Sequence, residues 1–205
     1  MRGRGPSPDK TAQTRHAIVS AALDTFLERG FSATRMIDVA QRAGVAKGTL
    51  YLYFADKQAL FEGVLGEVIA APVASVRGVT PDEGESVRAF LLRAVVPLMR
   101  TMESSRRAAV LRLVIAEGPR FPELAATYRR LVIEPLNGLI RRLAQIALER
   151  GEIKSDALAR FPMLMLAPGL TATVWNGLFG IREPVDPGAV FETYIDLVFG
   201  APETR

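Results

Sequence analysis

An all-α fold is predicted by three observations. Apolar residues recur at three- and four-residue spacing through most of the 205 residues. No run of alternating apolar and polar residues flanked by turns demands a strand. Glycines stand where those periodic runs end, as helix stop signals do. Hydrophobic residues make up 49% and charged residues 23%, so a core of useful size can be buried. There is no cysteine, which excludes disulfides and cysteine-ligated metals and fits a reducing cytoplasm.

The elements follow in chain order. "MRGRGPSPDK" opens the chain with arginine, glycine and proline but no apolar run. It reads as a flexible basic arm over residues 1–8, not as a signal peptide. From Asp9 to Arg29, Ile18, Ala21, Ala22, Leu23 and Phe26 repeat at helical spacing, and Gly30 stops the helix. Arg35 to Ala43 forms a short second helix, with Met36, Val39 and Ala40 on one side. Gly44 ends it, and a third segment runs from Lys47 to Phe54. Asp56 is the expected N-cap of a fourth helix reaching Arg77. "GVTPDEGES" at 78–86 is the clearest loop. Helical patterns then occupy about 86–103, 105–117, 122–150, 155–181 and 187–199. Pro135 is expected to kink one of them, and the glycine of "ERGEI" at 149–153 to cap its end. Phe161 to Ile181 carries no charge and has the length of a bilayer span of about 20 residues. Its two prolines, three glycines and Asn176 favour instead a helix buried on two sides, one against its own core and one against a second subunit.

Charge narrows the function. Residues 1–60 hold 9 Lys and Arg against 5 Asp and Glu, whereas residues 61–205 hold 17 of each. The whole excess of +4 therefore lies in the first third, as in a polyanion-binding end on a neutral body, or as a small statistical surplus. His16 is the sole histidine, and no phosphate loop, nucleophile elbow or metal-ligand spacing is present. Catalytic residues, metals and cofactors are not expected.

The segment from Gly44 to Phe54 carries the most chemistry. Gly44 supplies the positive φ of a tight turn between two short helices, and Val45 pins that turn to the core. Leu50 and Phe54 are four apart and form the buried stripe of the second helix. At 100° per residue, Gly48 and Leu52 then lie opposite the stripe, Thr49 and Tyr51 flank the outer face, and Tyr53 turns towards the buried side. Gly48 costs about 1 kcal/mol relative to alanine inside a helix. An outward glycine lets the helix backbone approach a DNA groove; a frayed first turn would tolerate it too. Lys47 can reach a base edge or phosphate, or simply stay in water. Lys57 opens the next helix, where a cation and free N–H groups can grip phosphate.

"GFSATRMIDVAQRAGVAKGTLYLYFADKQALFEGVL", Gly30 to Leu65, closely resembles the DNA-binding region of TetR-family transcriptional regulators. "IVSAALDTFLERGF" before it matches the first helix of that family. The resemblance implies a three-helix DNA-binding domain at 9–55 with its helix-turn-helix at about 35–54. A linking helix at 56–77 and a ligand-binding and dimerisation domain at 78–205 follow. It implies that Lys47, Gly48, Thr49, Tyr51 and Tyr53 lie at or near DNA and that Lys57 contacts the backbone. Where many relatives cap the second helix with Ser or Thr, this chain has Arg35; Thr34 is expected to cap instead, freeing Arg35 for phosphate. Ala46 replaces a common serine and is a poor cap. Leu52 replaces a polar or aromatic residue and can meet a thymine methyl but cannot hydrogen-bond a base.

"RLVIAEGPRFPELAATYRRLV", Arg112 to Val132, is similar to a segment of AefR-like or AcrR-like relatives. The implied ligand is small and largely apolar. Candidate pocket walls are Phe90, Met99, Met102, Leu113, Phe121, Tyr128, Met163, Met165 and Trp175, although each singly suits an ordinary core. The whole reads as a cytoplasmic, nucleoid-associated homodimeric repressor, joined through helices near 155–181 and 187–199. Two recognition helices about 34–36 Å apart would meet a pseudo-palindromic operator in double-stranded DNA, from which the ligand releases the dimer. A regulator without an inducer, and a helical enzyme or carrier using the apolar pocket, are the alternatives.

Overall fold

The computed structural model describes residues 8–77 and 80–200. The expected basic arm lies almost wholly outside them. No strand occurs among the described residues.

Helix α1 (Pro8–Ala33) buries Ile18, Val19, Ala22, Leu23 and Phe26. It kinks at Gly30, where φ is 76° and ψ is 166°. A β-carbon at Gly30 would stand 2.5 Å from a carboxylate oxygen of Glu117 and would push that side chain aside, but it is the positive φ that favours glycine here. Helix α2 (Met36–Arg42) and helix α3 (Lys47–Tyr53) are joined by a turn at Gly44, whose φ is 67°. There the Val45 amide donates to the Ala40 carbonyl at 3.0 Å and the Gly44 amide to the Gln41 carbonyl at 3.2 Å. This paired closure satisfies the last carbonyls of α2 and needs a left-handed residue at its centre. Val45 packs against the core beneath.

Asp56 caps α4 (Lys57–Leu65) by accepting from the Ala59 amide at 2.7 Å. The expected single helix to Arg77 is interrupted by a π-helical turn, Gly66–Ala70, before α5 (Ala71–Arg77). The helix expected over 86–103 is also divided, into α6 (Val87–Ala94) and α7 (Val96–Arg100), with Pro97 in the first turn of α7. Then come α8 (Arg107–Glu117) and α9 (Pro122–Tyr128). A second π-helical turn, Arg129–Ile133, leads into α10 (Glu134–Glu149). Pro135 sits in the first turn of α10. The wider π turn in front of it accommodates a residue that cannot donate an amide hydrogen. Gly151 closes α10, as expected, with φ 70°. The stretch expected as one helix from 155 is α11 (Ala157–Arg160) and α12 (Met163–Phe179), broken at Phe161–Pro162; Pro168 does not interrupt α12. Helix α13 (Pro187–Phe199) is last.

Two hydrophobic cores hold these helices. The first joins α1 to α4 with Val110, Leu113 and Val114 of α8, Leu124 of α9 and Val132. The second joins α6, α7, α10, α11, α12 and α13. The cores do not divide the chain at residue 78: α8 and α9 belong with the N-terminal helices. Phe31 makes the joint explicit, packing at 5.5 Å on Phe26, 5.8 Å on Phe61 and 5.3 Å on Phe121. Edge-to-face rings at such distances contribute about 1 kcal/mol each beyond burial. No helix among the described residues is long and apolar enough to cross a membrane.

Candidate nucleic-acid interface

Leu50 is fully buried and Phe54 nearly so, which fixes the rotation of α3 about its axis. Burying a leucine contributes about 2 kcal/mol, enough to hold a seven-residue helix that α2 also supports. Its opposite face is thereby turned outwards. Leu52 is 85% exposed and Tyr51 44% exposed. Lys47 and Gly48 are exposed, and nothing lies within 4 Å of the place a Gly48 side chain would start. Thr49 and Tyr53 are half-buried, and Tyr53 packs against the core. The Lys47 ammonium lies 5.9 Å from the Tyr51 ring centre and makes no ion pair among the described residues. Ala46 stands at the N-cap of α3 and offers no side-chain hydrogen bond. One cation, a hydroxyl-bearing ring, a threonine hydroxyl and an apolar tip thus share one solvent-facing strip. That set can donate to bases and phosphates and touch a thymine methyl.

Three neighbours behave differently from expectation. Thr34 is 2% exposed, and its hydroxyl donates to the Gly30 carbonyl at 2.8 Å. It does not cap α2 and has no path to DNA: its oxygen closes the kinked end of α1 instead. Arg35 occupies the N-cap position of α2 without a capping bond. Its guanidinium is not free but grips Asp38 through two hydrogen bonds of 3.0 and 2.8 Å. That pairing, with Arg29 adding a contact at 2.8 Å, holds the Asp38 carboxyl below its usual range. Lys57 points back into the protein, donating to the Phe31 carbonyl at 2.7 Å and the Ser32 carbonyl at 3.0 Å. Burial lowers its pKa, partly offset by the charge of Glu117.

Four arginines of the N-terminal third are held in ion pairs, although the excess of positive charge there remains. Arg15 pairs with Glu67, Arg29 and Arg35 with Asp38, and Arg42 with Glu28. Net charge counts such cations, but position decides which of them meets solvent.

The nine candidate pocket residues are not brought together. Phe90, Met99 and Met165 belong to the second core, while Leu113, Phe121 and Tyr128 belong to the first. Burial raises the Tyr128 hydroxyl to about 12. Met102 is half-buried in the turn before α8. Met163 and Trp175 lie exposed on α12, and the Trp175 indole donates to the Glu183 carbonyl at 2.8 Å. A cavity of about 480 Å³ opens elsewhere, between the turn after α10 and the end of α13, with none of these nine in its walls. Sequence reasoning missed it because its walls come from four separate segments. Met165 alone of the nine lines a second, narrow void of about 20 Å³. Among the described residues no group of three or more acidic or histidine side chains is arranged to hold a metal ion.

The chain is similar to known proteins in both of its parts. Residues 18–64 match the family model for bacterial regulatory proteins of the tetR family. Residues 80–199 match the tetracyclin repressor-like C-terminal domain. The chain is 31% identical over 143 residues to the uncharacterized HTH-type transcriptional regulator YdeS of Bacillus subtilis, covering 70% of this chain and 69% of that one. It is 28% identical over 164 residues to the HTH-type transcriptional regulator UidR of Escherichia coli, covering 78% and 81%. The fold is similar to that of GusR from Salmonella enterica, with a TM-score of 0.71 at 24% identity over 97% of this chain and 100% of that one. With both of its parts matched in order, and a recognition-type helix held outwards by its own core, the chain belongs to the TetR family and is a DNA-binding transcriptional regulator, not an enzyme.

Proposed function

We propose that the protein is a homodimeric repressor that leaves a pseudo-palindromic operator when a small, largely apolar ligand binds its C-terminal part. The observation that carries the DNA half is Leu52, 85% exposed on a helix whose other face is sealed by Leu50 and Phe54. An apolar side chain held into solvent beside Lys47, Tyr51 and Gly48 has no packing role within the chain. In a major groove it has one. In this reading residues 9–55 bind operator, 56–77 connect, and 78–205 hold ligand and partner. Arg35 and Lys57 reach phosphate only by exchanging their present partners.

The dimer is supported by α12 and the turn that follows. Leu170, Val174, Leu178 and Ile181 are exposed along one side, and Leu197 of α13 is exposed as well. Large exposed apolar patches mark interaction surfaces, and a self-complementary patch suits a two-fold axis. Two-fold symmetry in turn makes the operator pseudo-palindromic. The ligand half is supported by the way α8 belongs to the same core as α1, so a shift in the regulatory helices is felt at the DNA-binding end. We assign the protein to the cytoplasm, at the nucleoid.

Footprinting across genomic DNA tests this reading. The expected result is protection of two half-sites about one helical turn apart. Affinity should fall steeply as salt rises, because phosphate contacts release counterions. Absence of any salt-sensitive site would overturn it. Titrating apolar small molecules against the bound operator then tests ligand release apart from binding.

A further inference from the structure

The cavity of about 480 Å³ lies between the Gly151–Ser155 turn, α11, the start of α12 and the last turn of α13. Its volume falls within the range of about 300–1,000 Å³ common for small-molecule sites. Ile153 and Leu158 are buried in its floor, and Leu164 and Phe199 add apolar wall. Two polar groups line the same space, Lys154 and Tyr194. Among the described residues neither the Lys154 ammonium nor the Tyr194 hydroxyl has a hydrogen-bond or ion-pair partner. Burial raises the Tyr194 pKa, so its hydroxyl stays a neutral donor.

One further polar wall is spoken for. Glu152 turns one oxygen to the Val87 amide at 2.8 Å, and its other lies 3.9 Å from Arg150. The Ser155 oxygen accepts from the Ala157 amide at 3.2 Å, which leaves its proton for an acceptor in the cavity. With Glu152 engaged by the Val87 amide, the groups left to meet a ligand are one cation, Lys154, and the hydroxyls of Tyr194 and Ser155, beside an apolar floor. An anionic head with an apolar body satisfies both halves. A cationic ligand meets Lys154, and a wholly apolar one leaves the donors unmatched.

We propose that this groove binds an amphipathic carboxylate, its head held by Lys154 and Tyr194 and its tail laid against Ile153, Leu158, Leu164 and Phe199. The assignment does not rest on the operator reading, since it concerns ligand binding alone.

Calorimetry on the full chain, without DNA, tests it with two amphiphiles of one tail length: decanoate and decyltrimethylammonium. Decanoate should bind once per chain, at least about tenfold more tightly than the cation, as expected for a charge-assisted contact. Lys154→Met should weaken decanoate about tenfold and remove the discrimination, and Tyr194→Phe should weaken it by a smaller factor. Arg182→Met, a cation outside the groove, should change nothing. Residues 201–205 follow directly after the wall residue Gly200 and include Glu203. A chain ending at Gly200 should therefore bind decanoate at least as tightly. The proposal is overturned if decanoate does not bind, if Lys154→Met leaves its affinity unchanged, or if both amphiphiles bind alike. Loss of binding in the shortened chain would overturn it too.

Discussion

The ammonium nitrogen of Lys57 stands 2.7 Å from the carbonyl oxygen of Phe31, 26 residues earlier in the chain, and 4.5 Å from the centre of the Phe31 ring. A cation on the final carbonyls of a helix compensates groups that no later amide can reach. Lys57 thus ties the start of α4 to the end of α1, next to the place where Glu117 of α8 meets Gly30.

Replacing Lys57 by methionine is therefore expected to cost about 1–2 kcal/mol of stability in the absence of DNA, the usual range for a hydrogen-bonded charge that is partly exposed. Urea denaturation measures it. An unchanged midpoint would return Lys57 to a purely DNA-facing role.

Thr34 and Leu52 should separate structure from recognition. Thr34→Val leaves the Gly30 carbonyl without its donor and should lower stability by about 1 kcal/mol. Leu52→Ala, on an exposed position, should change stability by less than about 0.5 kcal/mol while weakening operator binding. Fluorescence anisotropy with an operator duplex, beside denaturation curves, reads both.

Arg106 is the one non-glycine residue with positive φ among those described, at 66°. It stands at the N-cap position of α8, and its guanidinium pairs with Asp24 of α1. Glycine removes the backbone strain but also the ion pair; alanine removes only the pair. Arg106→Gly should accordingly be more stable than Arg106→Ala by about 1 kcal/mol. Thermal melts of the two variants decide it.

Stability should fall in acid through Glu85. The Arg93 guanidinium donates to its two oxygens at 2.8 and 2.7 Å, and the Asp82 amide donates at 2.9 Å. These bonds take its pKa from 4.5 to about 2. The folded form holds the proton less readily than the unfolded form does. Its contribution is thus complete above the ordinary value of 4.5 and is lost as pH falls towards about 2. Glu85→Gln should flatten the stability profile across that window, measured by urea midpoints at several pH values.

Leu178, 70% exposed on α12, should control assembly. Leu178→Glu places a charge on the apolar face, and sedimentation should then find monomer with the helix content unchanged. A dimer that survives the change would move the interface elsewhere.

The helix-turn-helix was legible because everything that makes it is local. Gly44, Val45, Leu50 and Phe54 fall within eleven residues, and turn, pin and buried stripe follow from backbone geometry and spacing alone. The regulatory helices were legible as helices, but not in their phase. A π turn inserts an extra residue and rotates every later side chain by about 100°. Two such turns, with the break at Val95, defeat any wheel drawn across them. Phe90, Leu113 and Trp175 lie on separate helices besides, and which core each helix joins is set by tertiary packing, not by its own periodicity. The sequence by itself determined the helical class, the family and the outward face of α3. Only the tertiary structure decided that Thr34 is sealed, that Arg35 is held by Asp38 and that Lys57 is turned onto Phe31. It alone gathered Lys154 and Tyr194 around one cavity. Lys57 and Phe31, and Lys154 and Tyr194, lie at separations that spacing cannot encode. Thr34 and Gly30 are four apart and Arg35 and Asp38 three apart, but which nearby unsatisfied group each polar side chain meets is settled only in the fold.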